Sequence, residues 1–211
     1  MFKPFTVTAE IGDDMILSKA RNSRQPDYDI DSMFIDRWSP RAFDSTPLAS
    51  AQIQTLFEAA RWAPSCFNEQ PWVFAYAKTQ ADRNAFISVL VTKNQIWASH
   101  APLLFFIMAR RKFQKNSQDN RHAIFDAGSA WMSLALQARK MGLYAHAMAG
   151  FNQKKAYEVL NVSPDEYHIM AAAAAGYSGE NDHLPEDLLN IEAPNDRRPL
   201  SEILHAGFPV K

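Results

Sequence analysis

Cysteine is almost missing from this chain. Cys66 stands alone among 211 residues, which excludes an intrachain disulfide and any cysteine-based metal cluster, and fits a reducing compartment. The histidines His100, His122, His146, His168, His183 and His205 never fall at metal-ligand spacing, and no H-E-x-x-H occurs, so no metal site is expected. Glycine is scarce at 7 residues. The patterns G-x-G-x-x-G, G-x-x-x-x-G-K and G-x-S-x-G are all missing, which removes the anchors of a resident dinucleotide site, a phosphate loop and an α/β-hydrolase nucleophile. Any nicotinamide nucleotide would then visit rather than reside.

Neither sign of charge dominates. With 22 Lys+Arg against 23 Asp+Glu the formal net charge is −1, so there is no field to draw in a polyanion and no nucleic acid partner is expected. The short run Arg110-Arg111-Lys112, with Lys115 after it, follows an apolar stretch and reads as a solvated strand end. Nowhere do about eighteen uncharged apolar residues occur together, and the N-terminus lacks the apolar run of a signal peptide. No membrane association is expected, and the cytoplasm is the default location.

What is present is an ordinary globular composition, 47% hydrophobic and 21% charged. A chain of this length buries roughly 70% of the surface its unfolded form exposes. Residues 1–30 are polar and irregular and read as an N-terminal arm with one short helix, outside the catalytic core. Residues 31–211 read as one domain that includes a C-terminal arm from about 180 to 211.

Within that domain a short helix to Asp36 precedes a helix with apolar residues at Ile53, Leu56, Phe57 and Ala60, which Pro64 must end. Strands are expected over Trp72–Lys78, Leu103–Ala109, Leu143–Met148 and Met170–Tyr177, the last despite an alanine run that favours helix. Thr79 is placed to cap a helix over Ala81–Val91 and Asn152 one through Leu160. The longest helix is predicted from about Asn120 to Met141, stopped by Gly142, and its middle is apolar almost all round, as in a core or a subunit interface.

Two stretches gather polar groups around the first long helix. Arg37, Ser39 and Arg41 alternate, so an extended backbone points all three to one side, where two guanidiniums and a hydroxyl suit a phosphate and a carbonyl. The plainer alternative is a solvated loop before a helix. Pro64-Ser65-Cys66-Phe67-Asn68 links a helix end to a strand start, with a simple connecting loop as its alternative. Cys66 has no neighbouring base that would make it a nucleophile. Asn94, Gly150 and Arg197 are weaker candidates, for an amide contact, a backbone N–H and a further guanidinium.

Taken in order, six segments resemble the nitroreductase family of FMN-dependent oxidoreductases. They are R-W-S-P-R-A-F at Arg37, A-A-R-W-A-P-S-C-F-N-E-Q-P-W at Ala59, N-Q-I-W-A-S-H-A-P at Asn94, D-A-G-S-A-W-M-S-L-A-L-Q-A at Asp126, G-F-N at Gly150 and R-R-P-L-S-E-I at Arg197. The resemblance implies an α+β fold, with a central mixed or antiparallel sheet flanked by helices and terminal arms intertwined in a homodimer. It implies FMN as cofactor, NADH or NADPH as co-substrate, and ping-pong transfer to nitroaromatic, quinone or similar electron-poor acceptors. The same scaffold also serves dehydrogenases and reductive dehalogenases, and a non-catalytic flavin-binding dimer is a third reading.

By the same resemblance Arg37, Trp38, Ser39 and Arg41 would contact the flavin and its phosphate, with Arg41 stabilising negative charge at the pyrimidine edge. Pro64, Ser65, Cys66 and Asn68 would reach the cofactor from the partner subunit. Asn94, Ala149 and Gly150 would complete the flavin contacts, the Gly150 N–H facing N5, and Arg197 would return to the phosphate. No side-chain nucleophile is required. Cys66 departs from a frequent serine of the family, and Asn94 from a polar or basic residue that some members carry.

Overall fold

The computed structural model describes residues 22–207. The helix expected within residues 1–30 falls mainly on positions outside that range. The described chain runs α1 (Ser32–Asp36), α2 (Ser50–Arg61), β1 (Trp72–Tyr76), α3 (Gln80–Val89), α4 (Thr92–Ala98), β2 (Leu103–Arg110), α5 (Ala123–Lys140), β3 (Tyr144–Met148), α6 (Gln153–Leu160), β4 (Tyr167–Gly176) and α7 (Glu186–Leu189), with 3-10 turns at Cys66–Asn68 and Leu200–Glu202.

The four strands form one sheet in the order β1-β2-β4-β3, and every pairing is antiparallel. Central β2 is buried along nearly its whole length, as a strand covered on both faces must be. Its side chains alternate between two apolar layers. Leu104, Phe106 and Met108 pack with Val89, Trp97 and Ala156 of the helices on one face, while Leu103, Phe105 and Ile107 pack with Leu56, Ala130 and Leu134 of α2 and α5 on the other.

The alanine run is a strand, as expected, and it begins earlier, at Tyr167. Ala172 and Ala174 face one layer and Ala173 and Ala175 the other. Small side chains let helices approach β4 closely from both sides, and this packing overrides alanine's helical preference. The long helix starts at Ala123 rather than about Asn120. Its end is as predicted: Gly142 has φ 77°, its N–H donates to Arg139 O at 3.0 Å and Leu143 N–H to Ala138 O at 2.8 Å, a Schellman arrangement that needs a left-handed residue. Thr79 and Asn152 cap α3 and α6. Helix α4 was not anticipated: it buries only Trp97 and Ala98 and has no side-chain cap.

The fold fixes the segment after α1 with unusual thoroughness. Phe43 bridges Ser178, Gly179 N–H donates to Ala42 O at 2.9 Å and Asp44 N–H to Tyr177 O at 3.0 Å. A Cβ at Gly179 would lie 2.5 Å from the Phe43 carbonyl carbon, so only glycine permits this approach.

Candidate functional site

Residues Arg37 to Arg41 carry the alternation expected of them. Trp38 and Pro40 are buried, whereas Arg37, Ser39 and Arg41 are only partly so. All three line a cleft of about 720 Å³, together with Arg24, His146 and Arg197. Trp38 forms its wall: the residue is 8% exposed, and its ring lies edge-on to Tyr144 and leaves Nε1 without a partner among the described residues.

The cleft gathers positive charge. Arg37 forms no ion pair among the described residues, and burial, followed by the Arg197 charge, pulls its guanidinium below the ordinary value. Arg24 is pulled down in the same way by burial, Arg197 and Arg37, with Asp196 acting in the opposite sense. Mutual repulsion among guanidiniums with little local countercharge is what an anion site looks like before its anion arrives.

Arg41 is different. Glu192 accepts from its backbone N–H at 2.5 Å, from the Ala42 N–H at 2.9 Å and from the Arg41 guanidinium at 3.4 Å. The Glu192 side chain is 2% exposed, so a buried carboxylate sets both the backbone and the side chain of Arg41.

His146, on β3, closes another side. Its Nδ1 lies 2.8 Å from Pro40 O; because a carbonyl only accepts, Nδ1 carries the proton and Nε2 keeps its lone pair. The ring packs on Trp97 with centroids 4.6 Å apart. Burial, with Arg41 and Arg37 contributing, brings its pKa down to about 4. A neutral acceptor therefore sits among cationic donors.

The other candidates lie apart from this cleft. Asn94 Nδ2 donates to Gly150 O at 3.0 Å, and the Val91 N–H donates to the same oxygen at 3.0 Å. These contacts fix Ala149-Gly150 just beyond β3, the strand that carries His146. In the Pro64–Asn68 loop, Cys66 N–H donates to Asp126 Oδ2 of α5 at 3.1 Å and the Ser65 hydroxyl accepts from Gln70 N–H at 3.0 Å. Phe67 and Asn68 have φ of 53° and 56°, uncommon for side-chain-bearing residues, and Phe67 is 91% exposed. Within one chain this loop does not line the arginine cleft.

Arg24, His146 and Glu192 were not anticipated. Arg24 belongs to the stretch read as an N-terminal arm, and it lines the cleft. Its one visible signal was a polar cluster, Arg21 to Asp27, which reads equally as a solvated arm.

The profile of the Nitroreductase family matches residues 35–89 and 78–177. The chain belongs to the nitroreductase family. An NADH dehydrogenase of Thermus thermophilus is 24% identical over 210 residues, covering 85% of this chain and 96% of that protein. A crystallised oxidoreductase containing FMN is 38% identical with a TM-score of 0.83, covering 89% of this chain and 96% of the other. A nitroreductase family protein from Streptococcus pneumoniae, 20% identical with a TM-score of 0.66, covers 81% of this chain and 96% of its own and bears on the fold alone. Arg24 and Arg197 both lie outside the residues that the family profile matches.

Proposed function

We propose that this nitroreductase-family protein is an FMN-dependent NAD(P)H oxidoreductase, working as a homodimer on nitroaromatic, quinone or similar electron-poor acceptors by a ping-pong cycle. The observation that carries the reading is Arg37: a half-buried guanidinium without an ion-pair partner among the described residues, facing Arg197 and Arg24 across a cleft. The Arg37 and Arg197 guanidiniums fit the phosphate of FMN, which takes bidentate, charge-assisted hydrogen bonds. Like relatives offer the same cofactor, one of them crystallised as an FMN-containing oxidoreductase.

When bound, FMN supplies the two-electron chemistry between nicotinamide and acceptor. The chain supplies binding, orientation and charge. Arg37 and Arg197 hold the phosphate, and Ser39 offers a hydroxyl beside them. Arg41, fixed by Glu192, presents a preorganised cation, which needs no rearrangement to stabilise negative charge. His146 presents a neutral acceptor. Gly150, pinned by Asn94 and Val91, offers its N–H. Pro64, Ser65, Cys66 and Asn68 would reach the cleft of a second subunit. In support, Trp62, Phe67, Ile124 and Phe125 expose apolar surface around that loop and α5, more than a solvated surface needs.

The test is purification and anaerobic mixing. Yellow protein that releases FMN on denaturation, is bleached by NADH or NADPH, and regains colour with a quinone or nitroaromatic after the nicotinamide is removed is the expected result. Failure of either half-reaction in flavin-loaded protein would sink the proposed cycle.

A further inference from the structure

Arg24 uses its guanidinium as a four-way tie. Nη1 donates to Ile35 O and to Arg37 O, each at 2.9 Å. Nε donates to Asn195 O at 2.6 Å and Nη2 to Asn195 Oδ1 at 3.1 Å. Asn195 is shared: Arg197 Nη1 donates to the same two oxygens, each at 3.2 Å. Asn22 steadies the tie from behind, its Oδ1 accepting from Arg24 N–H at 3.2 Å and its Nδ2 donating to Ile35 O at 3.0 Å. One guanidinium thereby joins the segment that carries Arg37 to the segment that carries Arg197, which are distant in sequence.

Nearly all of the donor capacity of Arg24 is spent on these carbonyl and amide oxygens, so its main effect on a ligand is indirect. The tie also holds three cations together. An anion between them turns that repulsion into attraction, so closure of the tie and anion binding reinforce each other.

We propose that Arg24 is a positioning residue for the phosphate end of the flavin site, clamping the Arg37 and Arg197 segments at the spacing a phosphomonoester bridges. The proposal rests on the FMN reading. The planar fork of arginine is essential to it, because a lysine ammonium keeps the charge but cannot span the same four bonds.

The experiment titrates full-length apoprotein with FMN and with riboflavin, which lacks the phosphate, following flavin fluorescence, while circular dichroism and melting temperature check folding. Arg24→Ala should weaken FMN roughly tenfold or more, because Arg37 and Arg197 lose the spacing at which both reach one phosphate, and leave riboflavin affinity within about twofold. Arg24→Lys should fail to restore FMN affinity. Asn195→Ala, at an exposed position, removes only the Oδ1 bond of the tie and leaves the backbone acceptors in place, so it should produce a smaller FMN-specific loss with the Arg24 charge intact. Equal weakening of both flavins, full rescue by lysine, or unchanged FMN affinity would each overturn the clamp. Wild-type protein that binds both flavins equally, or neither, would overturn the FMN reading itself, and that failure is visible before any substitution is made.

Discussion

Glu192 and Arg41 meet twice: one carboxylate oxygen accepts the Arg41 backbone N–H at 2.5 Å and the other lies 3.4 Å from its guanidinium. The backbone contact fixes where the residue sits and the side-chain contact fixes where its charge points. A buried carboxylate is expensive to dehydrate unless such bonds compensate it, so Glu192 belongs to the site although it faces away from solvent.

Glu192→Gln should therefore destabilise the fold by about 1–3 kcal/mol, since an amide NH₂ would oppose N–H donors. It should also slow reduction of bound flavin by NAD(P)H. Urea unfolding measures the first effect and anaerobic stopped-flow the second. Combining Glu192→Gln with Arg41→Ala should be distinctly non-additive; simple addition would mean that the two residues act separately.

The arginines should divide their work. Arg41→Ala is expected to slow flavin reduction more than it weakens FMN retention, and Arg197→Ala to do the reverse. Arg37→Ala should weaken FMN most, by roughly 10-fold to 150-fold, because a half-buried guanidinium gives stronger bonds than an exposed one. Equilibrium dialysis and single-turnover reduction read the two quantities. Equal effects of Arg41→Ala and Arg197→Ala on both would refute the division.

The Arg37-to-Arg41 part of the candidate cleft was legible in the sequence, and the reason is local. Arg37, Ser39 and Arg41 alternate within five residues, and an extended segment reproduces that alternation in burial. The sheet strands were legible too, β2 as an apolar run buried on both faces and β1 as a short aromatic and β-branched run between loop signals. What escaped detection depends on contacts remote in sequence. Arg24 acts through backbone carbonyls of residues 35, 37 and 195, and backbone partners leave no mark in side-chain identity. Glu192 looks like any acidic residue of a polar tail until the chain folds it against Arg41. His146 showed in the sequence only as one of six histidines without metal-ligand spacing, and its packing on Trp97 depends on the fold. Helix α4 escaped because Thr92 to Ala98 supply too few turns to show a period.

His146 makes stability depend on pH. Its folded pKa, about 4, lies below the unfolded value near 6.5, so between these values the unfolded chain binds the extra proton. The contribution is complete above the unfolded value and is lost as pH falls toward the folded one, a loss on the order of 3 kcal/mol from this group. His146→Gln should flatten the fall in stability over that window relative to wild type. Denaturant midpoints from neutral to acid pH test this, and parallel curves for the two proteins would show that another group is responsible.

The exposed aromatic surface near the Pro64–Asn68 loop should control assembly. Phe125 is 77% exposed on α5, beside the buried Asp126 that holds Cys66. Phe125→Asp should shift the sedimentation profile toward monomer and reduce FMN content in step, because the loop proposed to act in trans would be lost with the partner. Full flavin content in a monomeric variant would show that the loop is not needed from a second subunit.

Gly150, in the turn after β3, tests the proposed backbone N–H contact. A Cβ there would lie 2.6 Å from Asn94 Nδ2 and 2.9 Å from Val91 Cγ2. Val91 is β-branched and stiff at χ1, and Asn94 is committed to Gly150 O. Gly150→Ala should cost about 1–3 kcal/mol of stability, the usual range for overpacking, and slow flavin reduction by displacing the backbone N–H. Asn94→Ala alone loses one hydrogen bond, yet in the Gly150→Ala background it also opens the crowded space. The double variant should therefore be more stable than the sum of the single effects, as judged by thermal unfolding with and without FMN. Additive losses would place the strain elsewhere and leave Asn94 as a simple cap of the turn after β3.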